Sequence, residues 1–427
     1  MRKERWIVPV IVVVALAWAI AQYLASVLFE RELSRALADL QARGDLRLSR
    51  TDIERGWLNS SGVIHIYPLI GHAWHLALPY EARHGVLDTS IIGDLHIHVG
   101  EEDRLLFGDS LATAPPYWEA HYRTLGGTLN GDLKIAPFVI SQSPQNDEPR
   151  SLSFSGGRIH FSGIYGDWRV QLQMEPWQLR DGDDAVLEIG PAELDSRYAY
   201  TSGALHFSQQ DRLTIDTFSL QHPLASIEGS NLVVETRTLL DDSELRIQSQ
   251  LNVGEIRSGE QLLLDGVASV ELSRINADAL RELLTLLQQR TTGGGTGDDS
   301  SKQQELDQAM TSLLKDSPRL DVTDVALDSP MLGLSLKGDG ILVLDSRRLD
   351  ELSLLELARP AMWNRFLDRL DGDFEWREVP PMVALWMGQP LGTESLTIDV
   401  VKGRLWLNGR PLPTVMKGRL PFATGDD

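Results

Sequence analysis

From Trp6 to Leu28 the chain is almost continuously apolar, preceded by Arg2, Lys3 and Arg5 and followed by Glu30-Arg31-Glu32. About 20 apolar residues cover the hydrocarbon core of a bilayer as a helix. The sequence therefore predicts an N-terminal transmembrane anchor that includes Trp6, Leu16, Tyr23 and Leu28, with Trp6 and Tyr23 at positions that suit the membrane interfaces. Basic residues are retained on the cytoplasmic side, which predicts a single pass, a cytoplasmic N-terminus and the bulk of the chain in the periplasm. A cleaved signal peptide is the competing reading, since Ala19-Ile20-Ala21 has the small-x-small form of a cleavage site. The apolar run continues beyond that point through Tyr23, Leu24, Val27, Leu28 and Phe29, which favours retention as an anchor.

Beyond the anchor the residues divide by periodicity. Glu30 to Arg43 reads as a juxtamembrane helix, with Leu33, Leu37 and Leu40 on one face and Gly44 as a stop. From Asp45 the period drops to two, as in Val63-Ile64-His65-Ile66, Leu95-His96-Ile97-His98-Val99 and Val170-Gln171-Leu172-Gln173-Met174. Strands with one apolar and one polar face belong to antiparallel sheets, because strands buried on both faces read as continuous apolar runs. The expected fold is mainly β with a few helices, its large antiparallel sheet either curled or packed as a sandwich.

Helices interrupt this pattern in the second half. Asn276 is a good N-cap for a helix carrying Leu280, Leu283, Leu284 and Leu287 on one stripe. The expected organisation is an anchor over 1–29, a helix over 30–44 and a β domain over 45–290. A flexible Gly- and Ser-rich linker follows over 291–304, then a second helix and a C-terminal β region over 305–427. Short helices are expected over Met362–Leu370 and Pro381–Met387.

Several turn segments, taken in order, resemble the YdgA-like family of bacterial inner-membrane-anchored envelope proteins of unknown function. They are Glu54-Arg55-Gly56-Trp57-Leu58-Asn59-Ser60-Ser61, His84-Gly85, Ser155-Gly156-Gly157-Arg158-Ile159, Val270 to Ala279, and Gly403 to Gly409. The proline usual after the family's His-Gly step is Val86 here. The resemblance implies an inner-membrane anchor and a periplasmic β-rich domain; it brings no activity and no catalytic residues.

Composition narrows the function further. With 40 Lys and Arg against 61 Asp and Glu, the formal charge of −21 repels phosphate backbones, so nucleic-acid binding is not expected. The absence of cysteine removes disulfides, thiolate metal sites and cysteine nucleophiles. No nucleophile elbow is present, and Gly293-Gly294-Gly295 lacks the Lys-Ser/Thr of a phosphate loop. The pairs Asp183-Asp184, Asp241-Asp242 and Asp298-Asp299 sit among turn formers, as solvated loop residues do.

Histidine is the chemical oddity, with His65, His72, His75, His84, His96, His98, His121 and His160 all in the first half. His96 and His98 share one face of a strand with Asp94, and His72 and His75 join them if their loop folds back. That makes His96 and His98 candidate metal ligands. The plainer reading is that Leu95, Ile97 and Val99 form the buried face and leave the histidines on the polar one. The sequence thus supports a non-enzymatic membrane protein without a cofactor, presenting an apolar sheet surface to a lipid, lipoprotein or protein partner. The alternative is a histidine-based metal-binding protein or metal-dependent envelope enzyme.

Overall fold

The computed structural model describes the chain apart from residues 1–3, 43–45, 69–73, 101–102, 112, 143–149, 183–184, 202, 204, 293–298, 348, 350–351, 358 and 412–427. It is mostly β, with antiparallel ladders throughout and a long N-terminal helix. The chain divides into two units: Met1–Ser226 with Leu284–Gly294, and Ile227–Leu283 with Gly295–Asp427.

In the first unit, α1 (Glu4–Ala42) is one helix, so the apolar span and the juxtamembrane helix are continuous. It is the one described helix long and apolar enough to cross a membrane. Leu16, Tyr23 and Leu28 are exposed on it, whereas the Trp6 side chain lies outside the described residues, as do Gly44 and His72.

The sheet of this unit begins with β1 (Leu46–Arg55), β2 (Asn59–Pro68), β3 (Trp74–His84), β4 (Asp88–Asp94), β5 (His96–Val99) and β6 (Arg104–Leu105). It continues through β7 (Tyr117–Arg123), β8 (Thr128–Ile135), β9 (Phe138–Gln142), β10 (Arg150–Phe154), β11 (Gly157–Ile164) and β12 (Asp167–Met174). The last members are β13 (Trp177–Asp181), β14 (Ala185–Ile189), β15 (Ala192–Tyr200) and β16 (Phe207–His222). Pairing runs β1-β2-β3-β4-β7-β8-β11-β12-β15-β16. It then returns through β16-β14-β13-β10-β9, while β5 pairs with the first half of β3.

That return comes from breaks placed opposite one another. Leu95, Pro116, Ala136-Pro137, Ser155-Gly156, Glu175-Pro176 and Gly190-Pro191 fall at the ends of their strands. Proline supplies no N–H, so a ladder loses a rung where it falls. Backbone bonds bridge the breaks, among them Leu95 N–H to the Pro116 carbonyl at 2.7 Å, Glu175 N–H to Gly156 at 2.9 Å, and Asp216 N–H to Pro191 at 3.0 Å. The sheet therefore has a near half, holding the hairpin turns at residues 56, 85 and 125, and a far half made of β9, β10, β13, β14 and the end of β16.

The near half carries a core of Phe29, Tyr80, Ala82, Ile91, Trp118, Ala120 and Tyr122, with Leu33, Ile64, Leu78, Leu129, Leu133 and Phe161 against it. Two of these, Phe29 and Leu33, come from α1, so this part of the apolar face is covered by the protein's own helix. The far half is different. Its register puts Phe138, Phe154, Trp177, Ile189 and Phe218 in one row, and Ile140, Leu152, Leu179, Leu187 and Leu220 in the next. None of the ten is fully buried, and Leu179 is 40% exposed.

The second unit is an open antiparallel sheet of β17 (Ala225–Leu240), β18 (Glu244–Ser258), β19 (Gln261–Asn276), β20 (Arg319–Ser329), β21 (Leu334–Leu344), β22 (Leu370–Arg377), β23 (Ser395–Val401), β24 (Arg404–Leu407) and β25 (Arg410–Pro411), paired in chain order. One face is charged, with Arg319–Asp321 and Arg377–Asp339 both at 2.6 Å. The other is apolar, including the row Val234, Leu251, Ala268, Val325, Gly338, Trp376 and Leu396. Its end is closed by Val379, Ala384, Leu396 and Leu407. Its middle is not: Leu251 and Val270 are 37% and 39% exposed.

The helices that follow β19 in the chain obey local signals. Asn276 caps α2 (Ala277–Thr292), its Oδ1 accepting the Ala279 N–H at 2.8 Å. Leu280, Leu283, Leu284 and Leu287 are half-buried along it. The following helix, α3 (Asp299–Ser312), begins inside the stretch expected to be linker. Residues 293–298, between the two helices, lie outside the described residues. The short helices are α4 (Pro360–Leu367) and α5 (Pro381–Trp386), each opened by proline at its first position.

Candidate functional site

Two places in the first unit concentrate polar groups, and both are built by β3. The first is the seat of α1. Within the apolar run the polar residues Gln22 and Ser26 stand one turn apart, and Phe29 and Leu33 continue the same face. Gln22 is buried and its amide donates to the His84 carbonyl; the Ser26 hydroxyl donates to the Gly56 carbonyl at 2.9 Å. Farther along the helix, Glu30 takes a bidentate ion pair from Arg50 at 2.8 and 2.9 Å, and Arg50 also donates to the Tyr80 hydroxyl. Asp39 accepts the Gly203 N–H at 2.9 Å and the Tyr165 hydroxyl.

The two carbonyl acceptors belong to matching turns. Gly56-Trp57-Leu58-Asn59 joins β1 to β2, and Gly85-Val86-Leu87-Asp88 joins β3 to β4. In each, a Cβ on the glycine would lie 2.6 Å from the carbonyl oxygen three residues later, so only glycine closes the turn.

His84 sits beneath Phe29, with ring centroids 5.3 Å apart, and is held by Ser60 Oγ at 3.0 Å and Thr89 Oγ1 at 3.4 Å. Burial lowers its pKa, against a smaller opposing pull from Glu30. A histidine whose folded pKa is depressed binds fewer protons folded than unfolded. Its stabilising contribution is complete above the ordinary value of 6.5 and is lost as pH falls from there through the lower folded value. The melting temperature should therefore fall between pH 7.5 and pH 5, and His84→Gln should flatten that slope. An unchanged slope in the variant would assign the acid sensitivity elsewhere.

The second place is the histidine cluster. His75 on β3 pairs in register with His98 on β5, and the rings stack at 4.0 Å. Asp103, in a left-handed conformation before β6, puts Oδ1 3.1 Å from His75 Nδ1 and 3.3 Å from His98 Nδ1. Burial and the neighbouring His98 lower the His75 pKa, against Asp103. Donor atoms of the three residues lie within 4.8 Å of one another, a set able to close on one metal ion. His75 and Asp103 border a hollow of about 220 Å³ that Arg47, Tyr67 and Trp74 also line. Of the two ligands expected from sequence, His98 is in this cluster; His96 lies on the same strand, opposite Ala77, and outside it. His75, expected to join only if its loop folds back, is brought in by strand register, and the partner that strand reasoning missed is Asp103, which a turn brings back.

The model of a family described as bacterial protein of unknown function, DUF945, matches residues 1–357. The chain belongs to this family. The match takes in α1, its seat, the histidine cluster and the sheet through β21, and stops before α4. No curated protein and no solved structure matches.

Proposed function

We propose that this DUF945 member is a non-catalytic, single-pass protein of the bacterial inner membrane, its N-terminus cytoplasmic and its sheets periplasmic, which receives the acyl chains of lipids or lipoproteins on its apolar faces. The observation that carries this reading is the incomplete cover of those faces. Trp177, Leu179 and Leu187 in the far half of the first sheet, and Leu251 and Val270 in the second, remain partly open although their neighbours in the ladder, apart from Ser249 beside Val270, are apolar. Apolar ligands favour concave, mostly apolar sites with few polar groups. An apolar sheet face left half-covered supplies the apolar lining of such a site.

The test is photo-crosslinking in bacterial membranes with a phospholipid bearing a diazirine in its acyl chain, using the full-length chain. Labelled peptides from β13, β14, β18 and β19, in addition to α1, are the expected result, with Leu179→Glu/Leu187→Glu abolishing those from β13 and β14. Labelling confined to α1 would refute acyl binding and leave the anchor intact.

Metal binding is supported by one specific observation, the convergence of His75, His98 and Asp103. Zinc retained by protein purified without an affinity tag, and lost in His98→Ala but not in His96→Ala, is the outcome this second reading requires.

A further inference from the structure

We infer that the hairpin turns beside α1 form a second membrane contact, dipping into the headgroup layer of the bilayer that α1 crosses. This rests on the reading of α1 as a membrane anchor. The residues are Trp57, Leu58, Leu87 and Leu125, exposed by 48%, 41%, 61% and 85%. They occupy three neighbouring tips, stitched together by His84 N–H to the Leu58 carbonyl at 2.7 Å and Thr124 N–H to the Leu87 carbonyl at 3.0 Å. Turn tips normally carry polar residues and glycine. A contiguous apolar row there calls for a partner.

The position of the row identifies that partner. Gln22 and Ser26 bond to the carbonyls of His84 and Gly56, so these tips lie where α1 leaves the sheet. The helix before Gln22, residues 4–21, rises roughly 27 Å at about 1.5 Å per residue, close to the ~30 Å of bilayer hydrocarbon. The tips then fall at the level of the membrane surface, beside the exposed Tyr23, Leu24 and Val27 of the helix. Arg55, Arg83 and Arg123 are exposed at the strand ends just behind them. Among the described residues neither Arg83 nor Arg123 has an ion-pair partner, while Arg55 lies 3.5 Å from Glu30. Arginines flanking an apolar tip reach lipid phosphates while their stems stay with the acyl chains. The nearby acids Glu54, Glu81 and Asp88 are exposed as well, so the attraction comes from these arginines and the apolar tips together rather than from net charge.

The chain has no cysteine, so single-cysteine variants of the full-length protein each carry one environment-sensitive fluorophore. Leu87→Cys and Leu125→Cys are compared, in proteoliposomes of phosphatidylethanolamine and phosphatidylglycerol, with Leu16→Cys in the anchor and Leu224→Cys at an exposed turn at the opposite end of β16. The expected result is blue-shifted emission, quenched by lipids brominated near the headgroup, at positions 87 and 125 but not 224, with quenching by deeply brominated chains at 16. Quenching at 16 with positions 87 and 125 behaving as 224 does would overturn the tip contact and keep the anchor. No quenching at 16 would remove the anchor, and the tip contact with it.

Discussion

Phe29→Ala should destabilise the first unit by about 3–5 kcal/mol, the usual cost of emptying a buried aromatic site. Phe29 is the largest side chain that α1 contributes to the core; it packs edge-on to Tyr122 at 5.9 Å and over His84. Its loss opens a cavity over Tyr80 and Ile91 that strands fixed in register cannot collapse to fill. Thermal unfolding of the full-length protein, followed by circular dichroism in one detergent for parent and variant, measures the effect. Since domain stabilities are typically ~5–15 kcal/mol, the shift should be large. A melting temperature equal to the parent's would mean that α1 does not seat on the sheet in solution.

Leu396→Ala should cost the second unit about 2–5 kcal/mol. Leu396 is fully buried among Val379, Ala384 and Leu407 and is the β23 member of the apolar row that closes this end of the sheet. The contrast is Leu251→Ala in the open middle of the same face. That side chain is partly in water already, so truncation forfeits less burial and leaves a groove rather than a void. If the two variants melt alike, the middle is covered in solution and the acyl-binding reading loses its main support.

Much of this architecture was legible because its causes are local. A run of about 20 apolar residues forms a helix wherever it lies, since its backbone bonds are internal. Two-residue alternation specifies a strand with one wet face. Asn276 and Pro381 mark helix starts through their own side chains, and so does Pro360, two residues before the start expected at Met362. The Gly56 and Gly85 turns were visible as glycine turns, and the shared Gly-apolar-Leu-Asx pattern that makes them a matched pair was present in the letters. So was the one-turn spacing of Gln22 and Ser26, which in hindsight distinguishes the docked end of α1 from a simple span.

Tertiary structure decided what depends on partners distant in the chain. Whether the apolar sheet face is filled or open follows from where α1 lies, and it covers only the near half of the first sheet. The row of breaks at Leu95, Pro116, Pro137, Gly156, Pro176 and Pro191 is a set of unremarkable residues until pairing sets them side by side. His98 was identifiable as a polar-face histidine, but its company is His75 and Asp103 rather than His96. A strand spaces alternate side chains along its own axis, whereas antiparallel register and a tight turn bring donor groups within bonding distance. The sequence alone determined the long apolar N-terminal helix, the strand-rich class and the turn chemistry, because these rest on each segment's own propensities; register and burial, which combine segments, belonged to the folded sheet.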